Sequence, residues 1–182
     1  MLSSQINYIL IYYMDNETKT IENRLIILNK KEVRDRKIID DERWVLSEDD
    51  YNSEKQHNVL KNQNKEDIIY TLMCSEIRKK ISGYKSQDIK KEKYNETKFI
   101  DEEFITNKLL ESDLNCYYCR CDVFVLYKVV RSPNQWSVER LNNDFGHNTD
   151  NVEISCLSCN LKRKTMYHER FRFTKQVKIV KK

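Results

Sequence analysis

Two Cys-x-x-Cys pairs, Cys116-Tyr-Tyr-Cys119 and Cys156-Leu-Ser-Cys159, constrain this chain more than any other feature of it. Thiolates spaced this way can both reach one ion at about 2.3 Å, and two pairs supply the four ligands of a tetrahedral structural zinc. The 36 residues between the pairs exceed the roughly 15 to 20 of simple zinc ribbons, so a further element must fit between them. Cys121, in Cys119-Arg-Cys121, is a possible replacement for one ligand, and four unrelated structural cysteines are the alternative to a metal site. Cys74 stands alone in an apolar helical pattern and reads as a buried small hydrophobe.

Six cysteines in paired spacing mean metal more often than disulfide in a reducing compartment. The N-terminal MLSSQINYILIYYMDN has a short apolar run without a basic leader or cleavage site, so neither a signal peptide nor a spanning helix is expected there. The expectation is an intracellular protein, cytoplasmic or nuclear, with no membrane partner. Charged residues make up 34% of the chain and hydrophobic ones 39%, which leaves room for a modest core that a metal can staple. Charge is also unevenly placed. Residues 161–182 hold nine Lys or Arg against the single acid Glu169, which leaves residues 1–160 with a net charge of −4. A basic segment immediately after a cysteine pair suits a phosphate backbone, although a solvated basic tail has the same composition.

Read in order, residues 5–13 form an apolar run too short to separate strand from buried helix. Residues 15–64 carry no chemical motif, and His57 falls in a polar, loop-like stretch. Ile68, Ile69, Leu72, Met73, Ile77 and Ile81 follow a 3.6-residue period, which predicts an amphipathic helix over 66–81 that Gly83 ends. Phe104, Ile105, Leu109 and Leu110 predict a second helix over 101–110. Residues 122–130 and 136–141 are rich in β-branched and aromatic residues and flank a Ser132-Pro133-Asn134 turn signal, which predicts a β-hairpin. A polar loop over 142–150 and a helix capped by Ser155 complete the order. The fold class expected is α+β: a mainly helical support region over 1–112, a small zinc-bound module over 113–168 and a basic C-terminal segment over 169–182.

The 29 residues from Trp136 to Lys164 concentrate carboxylates, amides, a histidine, a Cys-x-x-Cys and a basic cluster. Trp136-Ser-Val-Glu-Arg-Leu-Asn-Asn, then Gly146-His147, Asn151-Val152, Cys156-x-x-Cys159-Asn160 and Lys162 to Lys164 resemble the HNH endonuclease family in its zinc-stapled, treble-clef-like ββα-metal form. The run is especially similar to HNH-like proteins of large DNA viruses and phages. The likeness covers residues 113–168.

This resemblance implies hydrolysis of DNA phosphodiesters with one catalytic divalent ion, Mg²⁺ or Mn²⁺, separate from a structural zinc on Cys116, Cys119, Cys156 and Cys159. Glu139 and Asn160 would bind the catalytic ion and Asn151 would orient the loop. Lys162, Arg163 and Lys164, with Arg170 and Arg172 beyond them, would hold the DNA backbone. The family's general-base position carries Arg140 here, and a guanidinium stays protonated and cannot accept a proton from water. Either His147 in the nearby loop supplies the imidazole while Arg140 clamps a phosphate, or catalysis is lost and a DNA-binding module remains. His147 sits on a polar, glycine-containing stretch rather than in a core-like setting, which favours the first. His168 reads as a phosphate-side or solvated residue. The rivals are a catalytically inactive zinc module that binds DNA or RNA, and a zinc-dependent protein-interaction domain.

Overall fold

The computed structural model describes residues 8–14, 21–27, 38, 39, 44 and 46–177, and for the first two stretches their backbone. Residues 1–35 and 36–182 separate into two units. In the first, β1 (Tyr8–Met14) and β2 (Ile21–Ile27) pair antiparallel, with Tyr8 opposite Ile27 and Met14 opposite Ile21. The apolar run near the N-terminus is therefore a strand. Residues 178–182 of the expected basic segment lie outside the described residues.

The second unit is mixed helix with a small two-stranded sheet. Helix α1 (Ser53–Asn62) starts where Asn52 Oδ1 accepts from the amide of Lys55, and it contains His57, which is in a helix rather than a loop. Helix α2 (Ile68–Lys90) is capped by Asp67, whose carboxylate accepts from the amide of Ile69. Gly83 does not end it. Gly83 has no positive φ, so the helix runs through it for two further turns, and the extension delivers Tyr84 and Asp88 to the site. Helix α3 (Glu102–Glu111) begins where Asp101 accepts from Phe104, close to the expected limits.

The expected hairpin pairs differently. β3 (Trp136–Arg140) runs antiparallel not to residues 122–130 but to β4 (Val152–Cys156), with Trp136 opposite Cys156 and Glu139 opposite Glu153. Residues 122–130 form only isolated bridges, since their backbone groups find other partners. Gln56 from α1 accepts from the amides of Val125 and Leu126 with Oε1 and donates to the Leu126 carbonyl with Nε2, while Val123 donates to Leu114. A fully buried glutamine thus replaces the missing strand neighbour, satisfying groups that are costly to bury unpaired. Helix α4 (Leu157–Arg163) follows β4 directly. Its cap is Cys156, whose sulfur accepts from the Cys159 amide, whereas Ser155, the expected cap, lies in β4 with its hydroxyl against that of Ser137. Helix α5 (His168–Gln176) closes the unit by placing Phe171 edge-on against the buried Tyr118.

One core joins these elements: Leu60, Met73, Ile77, Ile105 and Leu109 from the helices meet Tyr118, Trp136, Val138, Val152 and Ile154 around the cysteines. Burying such side chains contributes about 1.5–3 kcal/mol each. Cys74 is buried here as expected. No helix among the described residues is long and apolar enough to cross a membrane.

Candidate metal centre and adjoining cleft

Cys116 and Cys119 sit on the turn after α3, and Cys156 and Cys159 sit at the start of α4, so the two pairs meet where strand gives way to helix. Their four sulfurs all lie within 4.8 Å of one another. Four ligands at about 2.3 Å from a tetrahedral centre stand about 3.8 Å apart, and Cys119 and Cys156 are separated by 3.9 Å. The four cysteines can therefore hold a metal ion such as zinc. Without a cation, hydrogen bonds from Cys156 and Cys159 push the Cys116 thiol down, while the contact with Cys116 pushes the Cys159 thiol up and the Cys156 thiol up to about 11. Four thiolates this close repel one another, and a divalent ion offsets that repulsion. Cys121 lies outside the set: its sulfur is 3.3 Å from that of Cys119, and burial pushes its thiol up toward the protonated form.

An open cleft of about 820 Å³ lies alongside. One wall is Ser137, Val138, Glu139 and Arg140 of β3, another is Leu157, Asn160, Leu161, Arg163 and Lys164 at α4, and the third is Tyr84, Gln87, Lys91 and Lys93 at the end of α2, with Asn143 and His147 from the loop. Glu139, Arg140, His147 and Asn160, picked from the sequence, thus line one space. Asn151 lies beneath it and holds the loop: its Nδ2 donates to the carbonyls of Asn142 and Gly146, and its Oδ1 accepts from the Asn142 amide. The loop comes back over the C-terminal end of α4 rather than its start, where Asn143 donates to the Lys164 carbonyl and accepts from Arg163.

Glu139 is buried, and its Oε1 takes the Nε–H of Arg163 at 2.5 Å. Burial pushes its carboxyl up to about 7 against the pull of Arg163. Its Oε2 is also buried and has no hydrogen-bond partner among the described residues. Across the cleft Asn160 donates Nδ2 to the Val138 carbonyl, which leaves its Oδ1 unused by that bond.

Arg163 is a correction to the expected basic face. It does not point outward; it is buried, and besides Glu139 it donates to the carbonyls of Met166 and Arg140 and to Asn143. Lys162, Lys164 and Arg170 are exposed, while Arg172 is half-buried on Tyr117, whose hydroxyl it engages at 2.9 Å. Arg140 donates to the Phe145 carbonyl and so steadies the same loop. His168 is half-buried beside Tyr167.

His147 also departs from its expected setting, being buried at 4% exposure. Its ring stacks on Tyr84 at 4.4 Å, its Nδ1 lies 2.9 Å from Asp88 Oδ1 and its backbone N–H donates to Asp88 Oδ2 at 2.6 Å. Burial lowers its pKa, although Asp88 pulls the other way. In the sequence Asp88 is one acid in a charged helix, and what sets it apart is its place on the buried side of α2, four residues after Tyr84. Comparison with protein-family models, with curated proteins and with solved structures finds no match for this chain.

Proposed function

We propose that the cleft is the active site of an HNH-type endonuclease that hydrolyses DNA phosphodiester bonds with one divalent ion, beside a structural zinc on the four cysteines. The order β3, loop, β4, α4, stapled by cysteines at the strand-to-helix junction, is what a ββα-metal module calls for. The single observation that carries the reading is that an acid, a histidine and an amide from three separate segments line one open cleft with cationic walls.

Glu139 Oε2 and Asn160 Oδ1 are the oxygen atoms that would hold Mg²⁺ or Mn²⁺, an ion that ordinarily keeps several waters and completes its shell with substrate phosphate. The unpartnered, buried Oε2 suits that role. Such a cation, once bound, neutralises charge developing on the phosphate and the leaving 3′-oxygen. His147 would take the proton of the attacking water on Nε2, the oxygen would bond to phosphorus, and the P–O3′ bond would break. Lys91, Lys164 and Arg140 would hold the phosphates without reading bases.

One observation favours a second reading, a zinc-stapled module that binds DNA or RNA without cutting it: the carboxylate needed for the ion already carries Arg163. Nicking of supercoiled plasmid in Mg²⁺ or Mn²⁺, against EDTA and a Glu139→Ala variant, separates the two. Metal-dependent cleavage lost in the variant supports the endonuclease; salt-sensitive binding without cleavage under any of these ions sinks it.

A further inference from the structure

His147 reaches the cleft from a loop, and loops are poor platforms for a group that must hold one proton on a chosen nitrogen. Here the loop is fixed by residues far away in sequence. Asp88, fully buried in the last turns of α2, spends both carboxylate oxygens on one residue, Oδ2 on the His147 amide and Oδ1 on its Nδ1. Tyr84, one turn earlier, covers the ring face, and its hydroxyl accepts from the amide of Val138 beside Glu139. Gly146 makes the approach feasible, because a Cβ there would stand 2.4 Å from the Lys93 carbonyl and 2.7 Å from Asp88 Oδ2. The Ile100 amide, donating to the His147 carbonyl, closes the other side.

We propose that Asp88 is the positioning residue for His147: it holds the imidazole as the Nδ1–H tautomer and leaves Nε2, the nitrogen with no protein partner among the described residues, as the proton acceptor of the cleft. This rests on the endonuclease reading for its consequence but not for its geometry. An ionised carboxylate accepts only, so a ring nitrogen 2.9 Å away must carry the hydrogen. The other nitrogen is then necessarily unprotonated in the neutral ring, which is the form a general base needs. Helix α2, outside the cysteine module, is thereby part of the site. The charges facing the imidazole are Asp88 from α2, Lys91 just after that helix and Arg140 from β3; Asp88 favours the imidazolium, and burial and the two cations oppose it.

The test is Asp88→Asn, which keeps shape and volume. An amide has one acceptor oxygen, so it cannot serve both the His147 amide and the ring N–H; with the oxygen on the backbone, its NH₂ faces Nδ1 and drives the hydrogen to Nε2. Long-range ¹H–¹⁵N spectra of the full zinc-loaded chain, with the His147 signals identified by their loss in His147→Gln, read this directly among only three histidines. The wild type should show Nδ1–H at neutral pH and Asp88→Asn should show Nε2–H. Plasmid cleavage should fall by about 10²- to 10⁴-fold in kcat with KM little changed. In what activity survives, the acid limb of the pH profile should move to lower pH, since the carboxylate no longer favours the charged ring. An Nε2–H tautomer in the wild type, or an Asp88→Asn variant with unchanged tautomer and pH profile, overturns the proposal. A wild-type chain with the Nδ1–H tautomer that cleaves nothing upholds Asp88 as the residue that positions His147 and sinks the endonuclease reading instead.

Discussion

The Nε of Arg163 lies 2.5 Å from Oε1 of Glu139, and neither side chain is more than 5% exposed. A pair withdrawn from water to this degree gains little net stability, because desolvation offsets the attraction, yet losing one partner strands the other charge. Arg163→Met should therefore lower stability by about 3–5 kcal/mol, and the double variant Glu139→Leu/Arg163→Met should recover only the part owed to the stranded carboxylate, since the Met166 and Arg140 carbonyls and Asn143 still lose their donor. Urea denaturation of zinc-loaded protein checks both, and additive losses in the double variant would show that the two charges do not depend on each other.

The buried guanidinium separates Arg163 from its neighbours in another way. Lys162→Ala and Lys164→Ala should each reduce the salt dependence of DNA binding by about one unit of slope, equally for all sequences. Arg163→Met should leave that slope nearly unchanged while it destabilises the fold. Equal slopes for all three variants would place Arg163 on the DNA side after all.

Elemental analysis should find one zinc per chain, and Cys116→Ser or Cys156→Ser should lose it. Cys121→Ser should keep it, since the Cys121 sulfur stands outside the four-sulfur cluster. Zinc loss in the Cys121 variant alone would reassign the ligand set.

Gln56→Leu removes the acceptor of two buried amides and the donor to the Leu126 and Asp50 carbonyls. Each stranded buried group costs about 1–3 kcal/mol, so a loss of about 3 kcal/mol is expected in chemical denaturation. A loss below about 1 kcal/mol would mean that residues 123–126 find other partners readily.

His147, with its pKa lowered by burial, should be neutral at pH 7 and titrate below the ordinary histidine value near 6.5. The unfolded chain then takes up the proton first, so stability should fall as pH drops through about 6.5 toward the folded value, and rise again with pH over that window. Wild type minus His147→Gln, compared by denaturation between pH 7.5 and 5.5, isolates the effect. A difference that does not change with pH would mean that the imidazole titrates alike in both states.

Much of this molecule follows local rules that a sequence displays. Asp101 caps α3 where an acid precedes an apolar period, and the cysteine spacing foretells a four-sulfur cluster that the fold assembles. What escaped was long-range. Residues 122–130 have strand composition, but composition cannot reveal that a glutamine some seventy residues earlier satisfies their amides. Arg163 reads as one cation in a basic run until Glu139 turns it inward, and Gly83 reads as a stop although no backbone strain demands one. Asp88 lies on the buried side of α2, yet nothing local says that it meets His147. For residues 125 and 126, Arg163 and Asp88 the deciding partner lies far along the chain, beyond the reach of periodicity or spacing.

The seating of α2 against β3 and the loop bears on where the chain can be cut. A fragment beginning at residue 113 would retain every cysteine of the cluster, yet the Val138 amide would lose the Tyr84 hydroxyl, the Trp136 carbonyl would lose Lys80, and the His147 amide and ring would lose Asp88. Metal alone replaces none of these. Because Gln56 of α1 also serves the Val125 and Leu126 amides, the smallest excisable piece that keeps its polar groups satisfied has to begin ahead of α1, so that transplanting the cysteine motif into another protein would carry the four-sulfur cluster across without the pocket beside it.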